Sequence, residues 1–148
     1  MRINYSDEED FPNQAFLWEA NYERSLKGRK GQSALRDIEQ ALLALPEKKL
    51  IADALQDDDG QVCAIGALAK HKGVSMPPPL EIDSEFEDYK VIDQMVELGR
   101  SLGVPKLVAI AVIHENDNDW NVPTPEARYR RVLTWVQRQL RTRKGELN

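Results

Sequence analysis

Apolar residues recur at helical spacing along most of this chain, and glycine or proline follows nearly every such stretch. In one example, Leu35, Ile38, Leu42 and Leu45 share one face of a helix, and Pro46 comes next. Amphipathic helices bury such a face, whereas glycine and proline end helices. The 148 residues suit one domain. We therefore predict a mainly α fold of about five to six helices in a single globular domain, residues 1–148.

The glycines, prolines and capping residues place most of these helices. They are predicted at 12–27, 32–45, 64–72, 91–102 and 124–140. Thr124-Pro-Glu126 is the strongest start signal, because it offers an N-cap, a proline at the first helical position and an acid in the first turn. Gly73 and Gly103 are candidate C-terminal caps. Outside the helices, a linker is predicted at about 74–84 and flexible ends at about 1–10 and 143–148.

Two segments are open to more than one interpretation. The apolar run Leu107–Ile113 fits either a buried helix or a buried strand, because periodicity does not separate the two. Asp57–Gly60 has the composition of a turn, which favours a short β-hairpin near 50–63. A helix from Glu47 to Leu55 is the alternative.

Composition and cysteine content predict where such a protein resides. Hydrophobic residues make up 41% of the chain and charged residues 30%, as in ordinary globular proteins. The first ten residues lack the apolar stretch of a secretory signal, and one cysteine cannot form an internal disulfide. The longest apolar run falls far short of the roughly 20 residues that span a bilayer. We predict a cytoplasmic protein with no membrane partner.

Charge is distributed unevenly along the chain. Residues 128–144 carry seven Arg or Lys and no acid, whereas residues 1–127 carry 13 basic and 24 acidic residues. On the last predicted helix the apolar stripe is expected to face inward and the guanidinium groups outward. The candidate binding residues there are Arg128, Arg131, Arg138 and Arg141. A nucleic-acid partner is one interpretation, although a pI near 5.1 opposes it, and a solvated helix face is the other.

The only cysteine, Cys63, lies in the small-residue stretch Gly60–Ala69, at the expected N-terminus of a helix. A helix N-terminus can stabilise a thiolate, and a nearby histidine would serve as base. His71 is excluded, because it lies about 12 Å along the same helix. A thiol hydrolase or transferase would therefore use Cys63 with His114 and with Asn116 or Asp117. The other interpretation is a buried Cys63 that fills a close helix approach.

No familiar cofactor motif occurs in the chain. One cysteine and two histidines are too few for an ordinary zinc site, and the acidic runs lack the pattern of a calcium loop. Neither a Walker loop, a dinucleotide fingerprint nor a Gly-x-Ser-x-Gly motif is found. We predict no cofactor and no metal.

One set of motifs resembles a known group of proteins. Gly60-x-Val-Cys-Ala-Ile-Gly-Ala-Leu68, Asn116-Asp117 and Thr124-Pro-Glu-x-Arg-Tyr129 occur in this order. The pattern resembles a group of small proteins of bacteria and their phages, over about residues 22–140, to which no activity is assigned. The resemblance implies a helix at 105–115 and a phage or mobile-element origin.

The chain holds more tryptophan than a small helical core needs, namely Trp18, Trp120 and Trp135. Trp120 lies in a polar stretch and is the one expected to be exposed, and tryptophan is enriched in binding hot spots. With no catalytic set evident, the sequence favours a protein-binding or regulatory accessory protein. Its partner is expected to be another protein, and a homo-oligomer is an alternative.

Overall fold

The structure is a computed structural model that describes residues 20–78, 80, 88–118 and 124–140. Within these residues six helices occur and no strand, so the mainly α prediction is confirmed. The helices are α1 (20–27), α2 (Arg29–Ala44), α3 (Ala64–His71), α4 (Asp88–Ser101), α5 (Lys106–Asp117) and α6 (Pro125–Gln139). None of the described helices is long and apolar enough to cross a membrane.

The short helix α3 lies at the centre of the packing and contacts α2, α4 and α5. Its first six residues, 64–69, are all buried. A helix that is apolar all round has no face suited to water, so it is covered on every side. Alanine and glycine dominate it, which lets the neighbouring chain approach closely. A Cβ added to Gly66 would lie 2.4 Å from the carbonyl oxygen of Leu55.

The longer helices α2, α4, α5 and α6 complete the core around α3. Helix α6 packs against α2 and α5, and α4 packs against α5. Their buried apolar faces match the predicted ones in large part, with Leu35, Ile38 and Leu42 on α2 and Val132 and Val136 on α6. On α4, Ile92 belongs to the apolar pattern that predicts the buried face, but its side chain is exposed.

Helix ends follow the capping signals. Gly73 and Gly103 adopt φ of +69° and +91°, and each ends its helix with a Schellman pair of hydrogen bonds. In these pairs Val74 N donates to Ala69 O at 2.9 Å and Val104 N donates to Gly99 O at 2.8 Å. Thr124 Oγ1 accepts from Ala127 N at 3.1 Å, with Pro125 as the first helical residue. These three predictions are confirmed.

At three places the structure corrects a prediction or decides between two alternatives. The run 107–113 is helical, within α5. The expected hairpin is reduced to one antiparallel bridge between Gln56 and Val62, and residues 47–55 form no helix. Helix α2 begins at Arg29 rather than Gln32. It begins early because Gly31 allows a close approach to α1: a Cβ there would lie 1.9 Å from the Ser25 carbonyl oxygen.

Several predictions fall outside the described residues. They concern the start of the first helix with Trp18, residues 79 and 81–84 of the predicted linker, Trp120, Arg141 and the two ends of the chain.

Candidate functional site

Cys63 is the N-cap residue of α3, as predicted, but its thiol is buried. Its Sγ accepts a hydrogen bond from Gly66 N at 3.4 Å. Burial raises the pKa of the thiol from 9.0 to about 12, and this desolvation outweighs the opposing hydrogen bond from the helix N-terminus. The thiol is therefore protonated at neutral pH, whereas a cysteine nucleophile reacts as the thiolate.

The surroundings of Cys63 are dry and mostly apolar. Ile65, Met95, Val112 and Ile113 line the space beside it, which is too small to hold a water molecule. In such surroundings a free cysteine acts as a small apolar residue that permits close packing. The geometry matches the interpretation of Cys63 as a buried packing residue.

His114 does not join Cys63. The buried face of α5 carries Val112 and Asn116, and His114 lies between them in sequence, on the opposite, exposed side of the helix. Asn116 and Asp117, in contrast, do border the space beside the thiol. Of the proposed catalytic group, the structure thus brings together Cys63, Asn116 and Asp117, and it leaves the base on the surface.

Asn116 has a structural role that its sequence position does not reveal. Its Oδ1 accepts from Ala64 N at 2.9 Å, in the first turn of α3, while its Nδ2 donates to Ile51 O at 2.8 Å. The side chain is buried, so each hydrogen bond replaces one that water would make. Asn116 therefore joins α5, the start of α3 and the loop before it.

Asp117 extends this junction. Its Oδ1 accepts from Asn116 Nδ2 at 2.9 Å and from Asp53 N at 3.2 Å. Asp53 is the one described non-glycine residue with a positive φ, +63°, a conformation that aspartate tolerates better than most residues. The pair Asn116-Asp117 is thus a connection between α5 and the loop, not an orienting group for a catalytic histidine.

The predicted arginine surface on α6 is only partly present. Arg128 is buried, and its guanidinium donates to Leu50 O at 3.2 Å, so the expectation that it faces outward is wrong. It points inward because the loop before α3 passes beside the N-terminal half of α6 and presents a carbonyl there. Arg131 donates to Asn118 O and pairs with Glu115 at 3.1 Å. Arg138 is exposed, and Trp135 is partly buried against the core.

A groove of about 290 Å³ is an open site that sequence reasoning missed. It is lined by residues 53–58 from the loop before α3 and by Pro77, Leu80, Val91 and Gln94, and these two sets are called its walls. Asp57 and Asp58 form no ion pair with any described residue. We call this site the acidic groove.

Large apolar side chains are exposed on α4 as well as in the acidic groove. Leu80, in the groove wall, is 41% exposed, and on the first turns of α4 Tyr89 is 58% and Ile92 41% exposed. Tyr89 and Ile92 do not line the groove, so Leu80 is the one of the three that a partner in the groove would cover. Only Ile92 carried a sequence signal, since Val91, Ile92, Met95 and Val96 exceed one narrow buried stripe.

A second depression, of about 380 Å³, is electrically mixed. Lys49 and Lys70 line it together with Glu47 and Asp59. Lys49 already lies 3.8 Å from Glu47 and 3.6 Å from Glu126. The charges around this depression therefore favour neither anionic nor cationic ligands.

Comparisons with protein-family models, with curated proteins and with solved structures give no match for this chain. Among the described residues, no three His, Cys, Asp or Glu side chains are grouped closely enough to hold a metal ion. The candidate site therefore rests on its own geometry, an apolar groove with a carboxylate wall.

Proposed function

We propose that this chain is a small cytoplasmic protein-binding accessory protein, which takes a basic and aliphatic segment of a partner protein in the acidic groove. The observation that carries the proposal is the pairing of two unlike walls: Asp57 and Asp58 on one side, Leu80 and Val91 on the other. The motif resemblance to proteins of bacteria and phages supports a bacterial or phage setting.

The chemistry of the partner follows from these walls. Carboxylates without a cation partner attract Lys and Arg, and they favour fast and selective association more than raw affinity. Burial of the apolar side chains of Leu80 and Val91 by a partner is favourable, because it removes apolar surface from water. A segment that carries both Lys or Arg and Leu, Ile or Val provides partners for the carboxylates and for the apolar side chains.

The size of the contact also matters. A stable interface buries about 1,600 Å² in total, more than a groove of this volume offers. We therefore expect the interaction to be transient, with Leu80, which is 41% exposed, as its main apolar contact.

The cysteine-enzyme alternative has less support. It requires an accessible thiolate beside a base, whereas Cys63 is buried with its pKa raised to about 12 and His114 is on the surface.

Binding of short labelled peptides tests the proposal by fluorescence anisotropy. A peptide of Lys and Leu is expected to bind, while peptides of Glu and Leu or of Lys and Ser are not. Leu80→Asp should weaken binding at least about tenfold, because it removes an apolar contact from the groove. Leu43→Asp is the matched control, since Leu43 is 52% exposed on α2 and lies outside the groove.

Charge reversal provides the second arm of this test. Asp57→Lys together with Asp58→Lys should abolish binding of the Lys and Leu peptide. Equal binding by all three peptides, or equal effects of the substitutions at Leu80 and Leu43, would contradict the proposal.

A further inference from the structure

The fold gathers a second charged surface, far from the acidic groove. Its five members are exposed cations: Arg24 and Lys27 on α1, Arg29 and Lys30 at the start of α2, and Arg138 at the end of α6. We call them the basic end. Four of them fall within seven residues of sequence, but Arg138 is more than 100 positions away.

A buried glutamine brings these distant cations together. Gln32 Nε2 donates to Leu26 O at 2.8 Å and to Gln139 O at 2.9 Å. Leu26 is one residue before Lys27, and Gln139 is one residue after Arg138. The C-terminal end of α6 therefore lies against the junction of α1 and α2. Sequence inspection placed the positive surface on α6 alone and missed the α1 and α2 members.

Within the part of the chain that the structure describes, no acidic side chain pairs with the basic end. None of the five cations forms an ion pair with a described residue. Glu23 is the single acid in the stretch 20–33. Arg29 and Lys30 also stand in the first turn of α2, which contains no acid and has no capping side chain. Cations there oppose the helix dipole, so their presence does not serve the stability of α2.

The acids Asp57, Asp58 and Asp59 of the described loop do not cancel this surface. Their loop follows the C-terminal end of α2, where Tyr129 donates to Leu42 O and Arg128 donates to Leu50 O, whereas the basic end lies at the N-terminal end. Helix α2 has 16 residues and is therefore about 24 Å long. At physiological ionic strength electrostatic interactions are screened over about 8 Å. Of the charges on the described residues, a partner at the basic end therefore experiences mainly the local positive ones.

We propose that the basic end binds the phosphate backbone of double-stranded nucleic acid without sequence preference. Five exposed cations, gathered where the end of α6 meets the junction of α1 and α2, supply the positive charge that binding to phosphates requires. Among the described residues, no exposed aromatic ring stands beside these cations, since Tyr22 and Trp135, the nearest in sequence, are both partly buried. Single-strand binding relies on such rings for base stacking, so a duplex is the better fit. This binding is separate from the acidic groove and goes beyond the protein-binding function.

Fluorescence anisotropy with a labelled, mixed-sequence DNA duplex of about 24 base pairs tests this inference on the full chain. Between about 50 and 200 mM salt, the logarithm of the binding constant should fall against log salt with a slope of about -4, as expected for four to five phosphate contacts. Lys27→Glu with Lys30→Glu should abolish binding. Lys27→Gln with Lys30→Gln should retain weak binding, with the slope reduced by about two.

A matched pair of charge reversals elsewhere provides the control. Lys70→Glu with Arg100→Glu changes the net charge by the same amount at exposed positions outside the basic end. This pair should leave most of the duplex binding intact. Thermal unfolding of each variant checks that the fold persists, and the Gln pair keeps the test decisive if the Glu pair fails to fold.

Four outcomes would overturn the inference: no duplex binding at about 50 mM salt, equal loss with both pairs of reversals, tighter binding to a single strand of the same length, or competition by polyglutamate as effective as that by unlabelled duplex.

Discussion

The helices and the loop segment 45–63 are held in place by different means. Helix ends such as that of α3 are closed by hydrogen bonds within five residues, as from Val74 N to Ala69 O. The loop segment has some backbone hydrogen bonds of its own, as from Ile51 N to Val62 O. It is also tied to α5 and α6 by hydrogen bonds with the side chains of Asn116, Asp117 and Arg128. The helix ends are thus closed by neighbouring residues, whereas the loop has additional support from residues far away in sequence.

The difference matters for function because the loop segment forms one wall of the acidic groove. Its carboxylates are presented by backbone that α5 and α6 hold in place. The basic end is likewise assembled by a long-range contact, that of Gln32 with Gln139 O. Both proposed binding surfaces therefore depend on tertiary contacts more than on any single helix.

The largest expected effect comes from closing the contact between α3 and the loop segment. Gly66→Ala would place a Cβ 2.4 Å from Leu55 O, so the backbone must move. We expect a loss of about 3 kcal/mol or more in the free energy of unfolding, measured by urea denaturation, as for other overpacked sites. Gly73→Ala is the control: no atom lies within 4 Å of its added Cβ, and only the φ of +69° is costly. Its loss should be about 1 kcal/mol.

A somewhat smaller effect is expected when the long-range hydrogen bonds are removed. Asn116→Leu keeps the volume but leaves Ala64 N and Ile51 O without their partner. Each unsatisfied buried group costs about 1–3 kcal/mol, so urea denaturation should show a loss of about 2–3 kcal/mol. Thr124→Ala, which removes only a local cap, should cost about 1 kcal/mol. A greater loss for Thr124→Ala than for Asn116→Leu would reverse the proposed contrast between local and long-range support.

The smallest effect concerns the dry junction at Cys63. Its pKa is raised from 9.0 to about 12, so the folded state holds the proton more tightly than the unfolded state. The resulting stability is complete below pH 9 and is lost as pH rises from 9 to 12. At pH 10 the loss should be about 1.4 kcal/mol.

The Cys63→Ala variant isolates this contribution. Burial also raises the pKa of Tyr129, so the wild type and the variant share that part of the alkaline loss. The variant should lack the part of the alkaline loss in stability that comes from the thiol. Identical pH profiles for the two proteins between pH 8 and 11 would mean that the thiol is accessible to water.

Several features of the fold could be predicted because their causes are local. Five of the six helices carry apolar residues at helical spacing, and Gly73, Gly103 and Thr124 mark ends that the structure confirms. The run 107–113 could not be assigned, because a continuously apolar stretch has no periodicity to separate helix from strand. In the structure this run is helical and forms part of α5.

The candidate sites could be predicted only in small part. Cys63 was placed at a helix N-terminus, but its burial depends on α4 and α5, which supply Met95 and Val112. Arg128 is predicted on the surface but is buried, because Leu50 O accepts its hydrogen bond. For both residues the deciding neighbour comes from a distant part of the chain. Ile92 is predicted in the core but is exposed.

Local sequence patterns are enough to specify the helical class of this protein, most of its helix boundaries and the polar turn at Asp57–Gly60, because each depends on interactions over a few residues. Helix packing specifies which polar groups turn inward, which apolar groups stay outside and which charges share a surface. Asn116 reaches Ala64 across 52 positions, and Gln32 reaches Gln139 across 107. Such contacts form only when the helices pack, and no local pattern encodes them.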